Sequence, residues 1–131
     1  MGSLLTQQQK IDFEQDGIAK LPNAIDENLL ARLDQCFEWS LANPGPFAVG
    51  NPRGENINFL DNANPKAYQV YGDLVLESNL GAIASELWDS EYVGFFGEQV
   101  FLKQGESRPT PWHQDTAYWP LGGEHWANFW I

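Results

Sequence analysis

The spacing of apolar residues changes near residue 90, and this change limits the folds that the chain can adopt. Before that point, apolar residues recur every three or four positions, as in Leu29, Leu33 and Phe37, which is typical of an amphipathic helix. After it, residues 92–103 are rich in aromatic and β-branched types and alternate with polar ones, which is typical of a strand. Helices first and strands last predict an α+β fold whose C-terminal part is rich in β-structure.

Three helices are predicted before residue 90, at about 7–16, 26–42 and 79–88. Each begins next to a side chain that caps helix N-termini: a Thr6–Gln9 capping box, Asp26 and Ser78. Gly17 is expected to end the first helix in a left-handed conformation. Cys36 lies beside the apolar stripe of the second helix, so we expect it in the core.

Short strands are expected at residues 18–21, near 57–60, and at 92–103, 110–121 and 126–131. The second of these lies in a long segment, residues 47–66, that is rich in Asn, Pro and Gly. A segment of this length and composition is either a binding loop or lid, or a surface excursion around one short strand.

The charge and the cysteine count exclude several classes of partner. The chain of 131 residues has a net charge of −11, from 18 acidic and 7 basic residues, which disfavours nucleic acids and anionic membranes. No apolar run approaches the roughly 18 residues of a membrane span. The single Cys36 rules out an internal disulfide and a cysteine-based zinc cluster. We therefore expect a cytoplasmic protein with no nucleic-acid or membrane partner.

The segment around His113 holds the most specific chemical signal. His113 and Asp115 are separated by one residue, and on an extended strand residues i and i+2 point to the same side. An imidazole and a carboxylate directed at one point are two of the three ligands of the facial triad that binds Fe(II) in non-haem oxygenases. The alternative is a hydrogen-bonded His–Asp pair that only holds a loop.

Residues 93–131 resemble the core of the phytanoyl-CoA dioxygenase family. The matching features are a strand that ends at Lys103, a Gly/Ser/Pro loop, the sequences W-H-Q-D and Y-W-P, and a last strand ending in Trp-Ile. The early F-E-Q-D-G followed by Leu21-Pro22 also resembles this family. The resemblance implies an Fe(II)- and 2-oxoglutarate-dependent dioxygenase that uses O2 to hydroxylate a small organic substrate. It also implies a double-stranded β-helix, a jelly-roll or cupin-like core.

Eight residues are candidates for the site. His113 and Asp115 are the expected metal ligands, and the resemblance implies that 2-oxoglutarate contacts Gln99 and Trp130. The residues expected to line the substrate pocket are Phe101, Lys103, Tyr118 and Trp119. Simpler interpretations remain. Phe101 and Trp130 would only pack against other side chains, and Lys103 would be a solvated residue at the end of its strand. Tyr118 and Trp119 would only brace the loop that carries them.

The family has a second histidine and an arginine downstream of the H-x-D motif, and His125 lies too close to Asp115 to be that histidine. We therefore expect residues 1–131 to form a single domain that is the N-terminal portion of an oxygenase, inactive alone. Residues 1–90 would be its helical and loop region, and residues 91–131 would begin an incomplete β-helix core. The alternatives are a truncated, non-catalytic paralogue, or a jelly-roll module that binds a small molecule or a sugar through Trp119, Trp126 and Trp130.

Overall fold

The computed structural model describes residues 2–119 and 121–131, which form an α+β arrangement of four α-helices and a two-stranded antiparallel sheet. The predicted fold class is thus confirmed at this level. The elements, in chain order, are α1 Gln7–Asp16, α2 Glu27–Ala42, β1 Ile57–Asn62, α3 Ala67–Glu77, α4 Leu80–Leu87 and β2 Gln99–Gln104, followed by a 3-10 turn at Asp115–Ala117.

The first two helices begin where their capping residues predict. The Thr6 hydroxyl accepts a hydrogen bond from the backbone N–H of Gln9 at 3.2 Å, and the Gln9 side chain accepts one from the Thr6 N–H at 2.9 Å. Gly17 ends α1 with a φ of 73°, a conformation that glycine adopts readily. An Asp26 carboxylate oxygen accepts from the N–H of Leu29 at 2.7 Å at the start of α2.

Helix α3 is absent from the sequence-based prediction, although it supplies part of the core. Its first turn has no capping side chain at Lys66. The N–H of Lys66 donates instead to the side-chain oxygen of Asn64, 3.1 Å away, within the segment read as a loop. The Ser78 hydroxyl accepts from the N–H of Leu80 at 3.2 Å, so the predicted cap lies one residue before the N-cap of α4.

Strands β1 and β2 lie far apart in the sequence and pair with a continuous register, from Ile57 opposite Gln104 to Asn62 opposite Gln99. One face of the sheet packs against α2 and α3. The main cluster of buried residues is Cys36, Ile57, Phe59, Ala67, Tyr71, Leu74 and Val100. Cys36 is buried in this core, as predicted.

The predictions of strands at 18–21, 110–121 and 126–131 are wrong, because the residues of these segments that the structure describes are irregular apart from the short 3-10 turn. Of residues 92–103, only the part from Gln99 onward is a strand. Pro109 and Pro111 have no N–H to donate to a neighbouring strand, which disfavours sheet pairing here. Pro120, which belongs to the Y-W-P motif, lies outside the described residues. No helix within the described part of the chain is long and apolar enough to span a membrane.

Candidate metal centre

A cleft of about 370 Å³ opens beside β2 and collects most of the residues singled out in the sequence. Its lining consists of Gln99, Phe101, Lys103, Thr110, His113, Asp115 and Trp130. Six of these seven are among the eight predicted site residues. The cleft therefore joins three segments of the chain: strand β2, the loop after it, and the C-terminal residues.

Strand β2 supplies one wall of the cleft through its alternation. Gln99, Phe101 and Lys103 lie on the face of β2 that is open to solvent, whereas Val100 between them is buried in the core. The shared face follows from their spacing in the sequence. Packing of one face of β2 against the core thus determines the position of the cleft side chains on its opposite face.

His113 and Asp115 point at each other although they do not lie in a paired strand. Gln114 between them has extended backbone angles, φ −117° and ψ 131°, so its two neighbours emerge on the same side. The distance from His113 Nε2 to Asp115 Oδ1 is 3.3 Å. The predicted juxtaposition thus arises from one extended residue rather than from a strand.

The backbone determines which nitrogen of His113 faces the carboxylate. His113 Nδ1 lies 2.8 Å from the carbonyl oxygen of Pro111. A carbonyl oxygen can only accept a hydrogen bond, so Nδ1 carries the proton in this contact. In the neutral ring, Nε2 then presents its lone pair toward Asp115. A backbone carbonyl on the second ring nitrogen is a common partner of histidines that bind metals.

This geometry fits a shared divalent cation. Two donors about 2.1 Å from one metal, in adjacent octahedral positions, lie about 3 Å apart. The observed 3.3 Å is close to that separation. One imidazole and one carboxylate suit Fe(II). In the described ranges, no group of three or more His, Cys, Asp or Glu side chains is arranged to hold a metal.

Lys103 connects β2 to the loop that carries the pair. Its ammonium group donates to the carbonyl oxygen of Arg108 at 3.1 Å and to the Thr110 hydroxyl. Lys103 is thus exposed but also bonded to the loop, and Thr110, for which no sequence pattern predicts a role, lines the cleft.

Aromatic rings form the remaining wall and brace the loop. Trp130 stacks on Phe101 with ring centroids 5.8 Å apart and an interplanar angle of 12°. Tyr118 and Trp119 do not line the cleft. Tyr118 packs edge-on against His113 at 5.8 Å, and Trp119 packs edge-on against Phe96 at 5.1 Å.

The second histidine of the chain lies in a different environment. His125 stacks on Trp88, with ring centroids 5.4 Å apart and an angle of 7° between the planes. It is not among the residues that line the cleft. His125 thus lies apart from the residues that line the cleft with His113 and Asp115.

One contact to the pair comes from a residue without a predicted role. The side-chain amide of Asn128 donates to Asp115 Oδ2 at 2.6 Å. Asn128 has the same parity as Trp126 and Trp130, but spacing alone gives no sign of a contact 13 residues away.

Comparison of the chain with protein-family models, with curated protein sequences and with solved structures finds no match.

Proposed function

We propose that the protein carrying this chain is an Fe(II)- and 2-oxoglutarate-dependent dioxygenase that hydroxylates a small organic substrate. The observation that carries the proposal is the 3.3 Å approach of His113 Nε2 to Asp115 Oδ1 at the edge of the cleft. Its sequence context, W-H-Q-D, resembles the phytanoyl-CoA dioxygenase family. In the proposed reaction, substrate, 2-oxoglutarate and O2 give hydroxylated substrate, succinate and CO2.

Two residues of the chain would hold the metal. His113 would bind through Nε2, with Nδ1 held by the Pro111 carbonyl, and Asp115 would bind through Oδ1. When bound, Fe(II) together with 2-oxoglutarate supplies the activation of O2 that an unreactive C–H bond requires. The chain contributes the orientation of both ligands and one side of the cavity.

The other residues of the cleft suit an anionic co-substrate with an apolar neighbour. Among the described residues, the Lys103 ammonium donates to two acceptors and has three N–H groups, so a further donor and the positive charge suit a carboxylate. Gln99 adds an amide on the same face of β2. The stacked rings of Phe101 and Trp130 form an apolar surface that displaces water from the site.

The proposal requires a third protein ligand and includes a double-stranded β-helix of which β1 and β2 form a part. It also includes a cytoplasmic location, which the single buried Cys36 favours. Activity is therefore proposed for the protein in which the pair and a third ligand come together, not for residues 1–131 in isolation.

A sugar-binding module is the second candidate. Trp130 is 82% exposed and presents a flat ring to the cleft, which suits stacking on a sugar. Trp119 and Trp126 both pack on Phe96, so of the three tryptophans first considered, Trp130 offers the clearest free surface.

Turnover of 2-oxoglutarate separates the candidates. In the full-length protein, we expect Fe(II)-dependent formation of succinate, and we expect His113→Ala and Asp115→Ala each to abolish it. His125→Ala is the matched control, because this ring stacks on Trp88 outside the cleft. Wild-type turnover in either ligand variant would refute the assignment. No turnover in the wild type, together with tryptophan quenching by a sugar, would favour the binding module.

A further inference from the structure

The two oxygens of the Asp115 carboxylate have different neighbours. Oδ1 lies 3.3 Å from His113 Nε2, on the side where the pair converges. Oδ2 accepts a hydrogen bond of 2.6 Å from the side-chain amide of Asn128. One oxygen is thus directed at the candidate metal position, and the other is held by a neutral donor from another segment.

This difference matters because an aspartate carboxylate rotates easily. The torsion about its last carbon–carbon bond is broad and roughly two-fold, so an unrestrained carboxylate presents either oxygen, or both, to a cation. A hydrogen bond to an ionised acceptor is stronger than one between neutral groups, and 2.6 Å is short for an N–H donor. The amide of Asn128 therefore selects one orientation.

The residues two positions before and after Asn128 both make aromatic contacts. Two residues before it, Trp126 packs on Phe96 with ring centroids 5.4 Å apart. Two residues after it, Trp130 stacks on Phe101 at 5.8 Å. Contacts on both sides thus restrain the backbone that carries the exposed Asn128 amide and favour the position from which it reaches Asp115.

We infer that Asn128 is a positioning residue that holds Asp115 Oδ2 and thereby presents Oδ1 to the metal as a single-oxygen ligand. This inference rests on the proposed function, since it concerns the same metal. It predicts that the hydrogen bond strengthens metal binding although Asn128 does not touch the metal. Partners of this kind typically change metal affinity by about 10- to 100-fold.

The test uses Co²⁺ as a spectroscopic probe in the full-length protein. Its dissociation constant is measured by competition with a chelator, and its visible absorption is recorded at saturation. Asn128→Ala removes the donor, and Asn128→Leu removes it while nearly preserving volume. Asn43→Ala is the matched control, because the exposed Asn43 amide also donates a single hydrogen bond, to the Trp39 carbonyl at 2.8 Å, at the end of α2. Urea midpoints of the metal-free proteins report folding.

We expect both Asn128 variants to bind Co²⁺ about tenfold or more weakly than the wild type and to shift its visible bands. Asn43→Ala should bind with wild-type affinity and give the wild-type spectrum. If either folded Asn128 variant retains wild-type affinity and spectrum, the inference is wrong while the proposed function stands. If the wild type itself does not bind Co²⁺ or Fe²⁺, the proposed function fails and the inference fails with it.

Discussion

The ammonium group of Lys103 lies 3.1 Å from the carbonyl oxygen of Arg108, and this contact ties strand β2 to the loop that leads to His113. A second bond from the same group reaches the Thr110 hydroxyl. Both acceptors belong to the loop, three and five residues before His113.

Replacing Lys103 with Met, which keeps most of the aliphatic stem, should release this loop. We expect faster hydrogen exchange at residues 108–115 in the metal-free protein and a loss of about 1 kcal/mol in the free energy of unfolding, as for one or two hydrogen bonds. Lys66→Met is a control for the loss of a surface charge. Unchanged exchange over residues 108–115 in Lys103→Met would show that the loop holds its shape without the ammonium.

Asp115→Glu tests how closely the carboxylate must be placed. The extra methylene moves the carboxylate by more than the roughly 0.2 Å that metal–ligand distances tolerate, and it moves Oδ2 away from Asn128. We expect loss of Fe(II)-dependent succinate formation with little change in the urea midpoint, because Asp115 is partly exposed. Full activity in this variant would mean that the carboxylate contributes only its negative charge and is not a precisely placed metal ligand.

Glu98 is a second carboxylate for which the structure makes a prediction, this time about stability. It is buried to 9% exposure, and burial raises the pKa of its carboxyl group, with the nearby Asp61 adding to the effect. One oxygen accepts from the backbone N–H of Asn64 at 2.9 Å. Because the folded state then binds this proton more tightly than the unfolded chain, the contribution is greatest below about pH 4.5 and is lost as pH rises through the folded pKa.

Glu98→Gln should therefore stabilise the protein at neutral pH by about 1 kcal/mol, since the amide oxygen can keep the bond to Asn64 without a buried charge. Urea unfolding at pH 5 and pH 8 measures this. The wild type should lose more stability than Glu98→Gln over that range. The exposed Glu91→Gln serves as control, and equal pH dependence in Glu98→Gln and wild type would contradict the prediction.

The N-terminal segment is held by Glu86, whose carboxylate accepts from the N–H of Leu4 at 2.6 Å, from the Ser3 hydroxyl, and from Lys10 at 3.0 Å. The Ser3 and Leu4 bonds, with Lys10, lower the pKa of Glu86 to about 2. A lowered folded pKa means that the stabilisation is present above about pH 4.5 and is lost as pH falls toward 2.

We expect the amides of Leu4 and Leu5 to lose protection from hydrogen exchange as pH falls from 4.5 to 2, after correction for the intrinsic rate. In Glu86→Gln they should be less protected already at pH 7. A wild-type protection profile in Glu86→Gln would show that the segment is held by other contacts.

The parts of the fold that were predictable are those with local chemistry. The Thr6–Gln9 box and Asp26 fix the starts of α1 and α2 within one turn of chain. Helix α3 has no such signal, because its first turn is satisfied by Asn64 in a segment whose Asn and Pro content indicates a loop. The structure of that segment depends on tertiary contacts, which the spacing of residues in the sequence does not reveal.

In the site too, local features were predictable and contacts between distant segments were not. The close approach of His113 to Asp115 needs only one extended residue between them. It is therefore present in the structure, although the strand on which it was predicted does not form. The alternation of β2 correctly groups Gln99 with Phe101 and Lys103. The contact of Asn128 with Asp115 depends on how a distant irregular segment folds back, for which the sequence has no period or motif.

The three walls of the cleft differ in how they are held, and this has a kinetic consequence. Strand β2 belongs to the sheet and its core, whereas the loop and the C-terminal residues attach through ring contacts, the Lys103 bonds and the Asn128 bond. Segments with few buried contacts open locally at a small fraction of the global unfolding free energy. The loop and the C-terminal residues can therefore detach and re-form while β1, β2 and the helices stay folded. This gives ligands a route into the cleft that does not require the core to unfold.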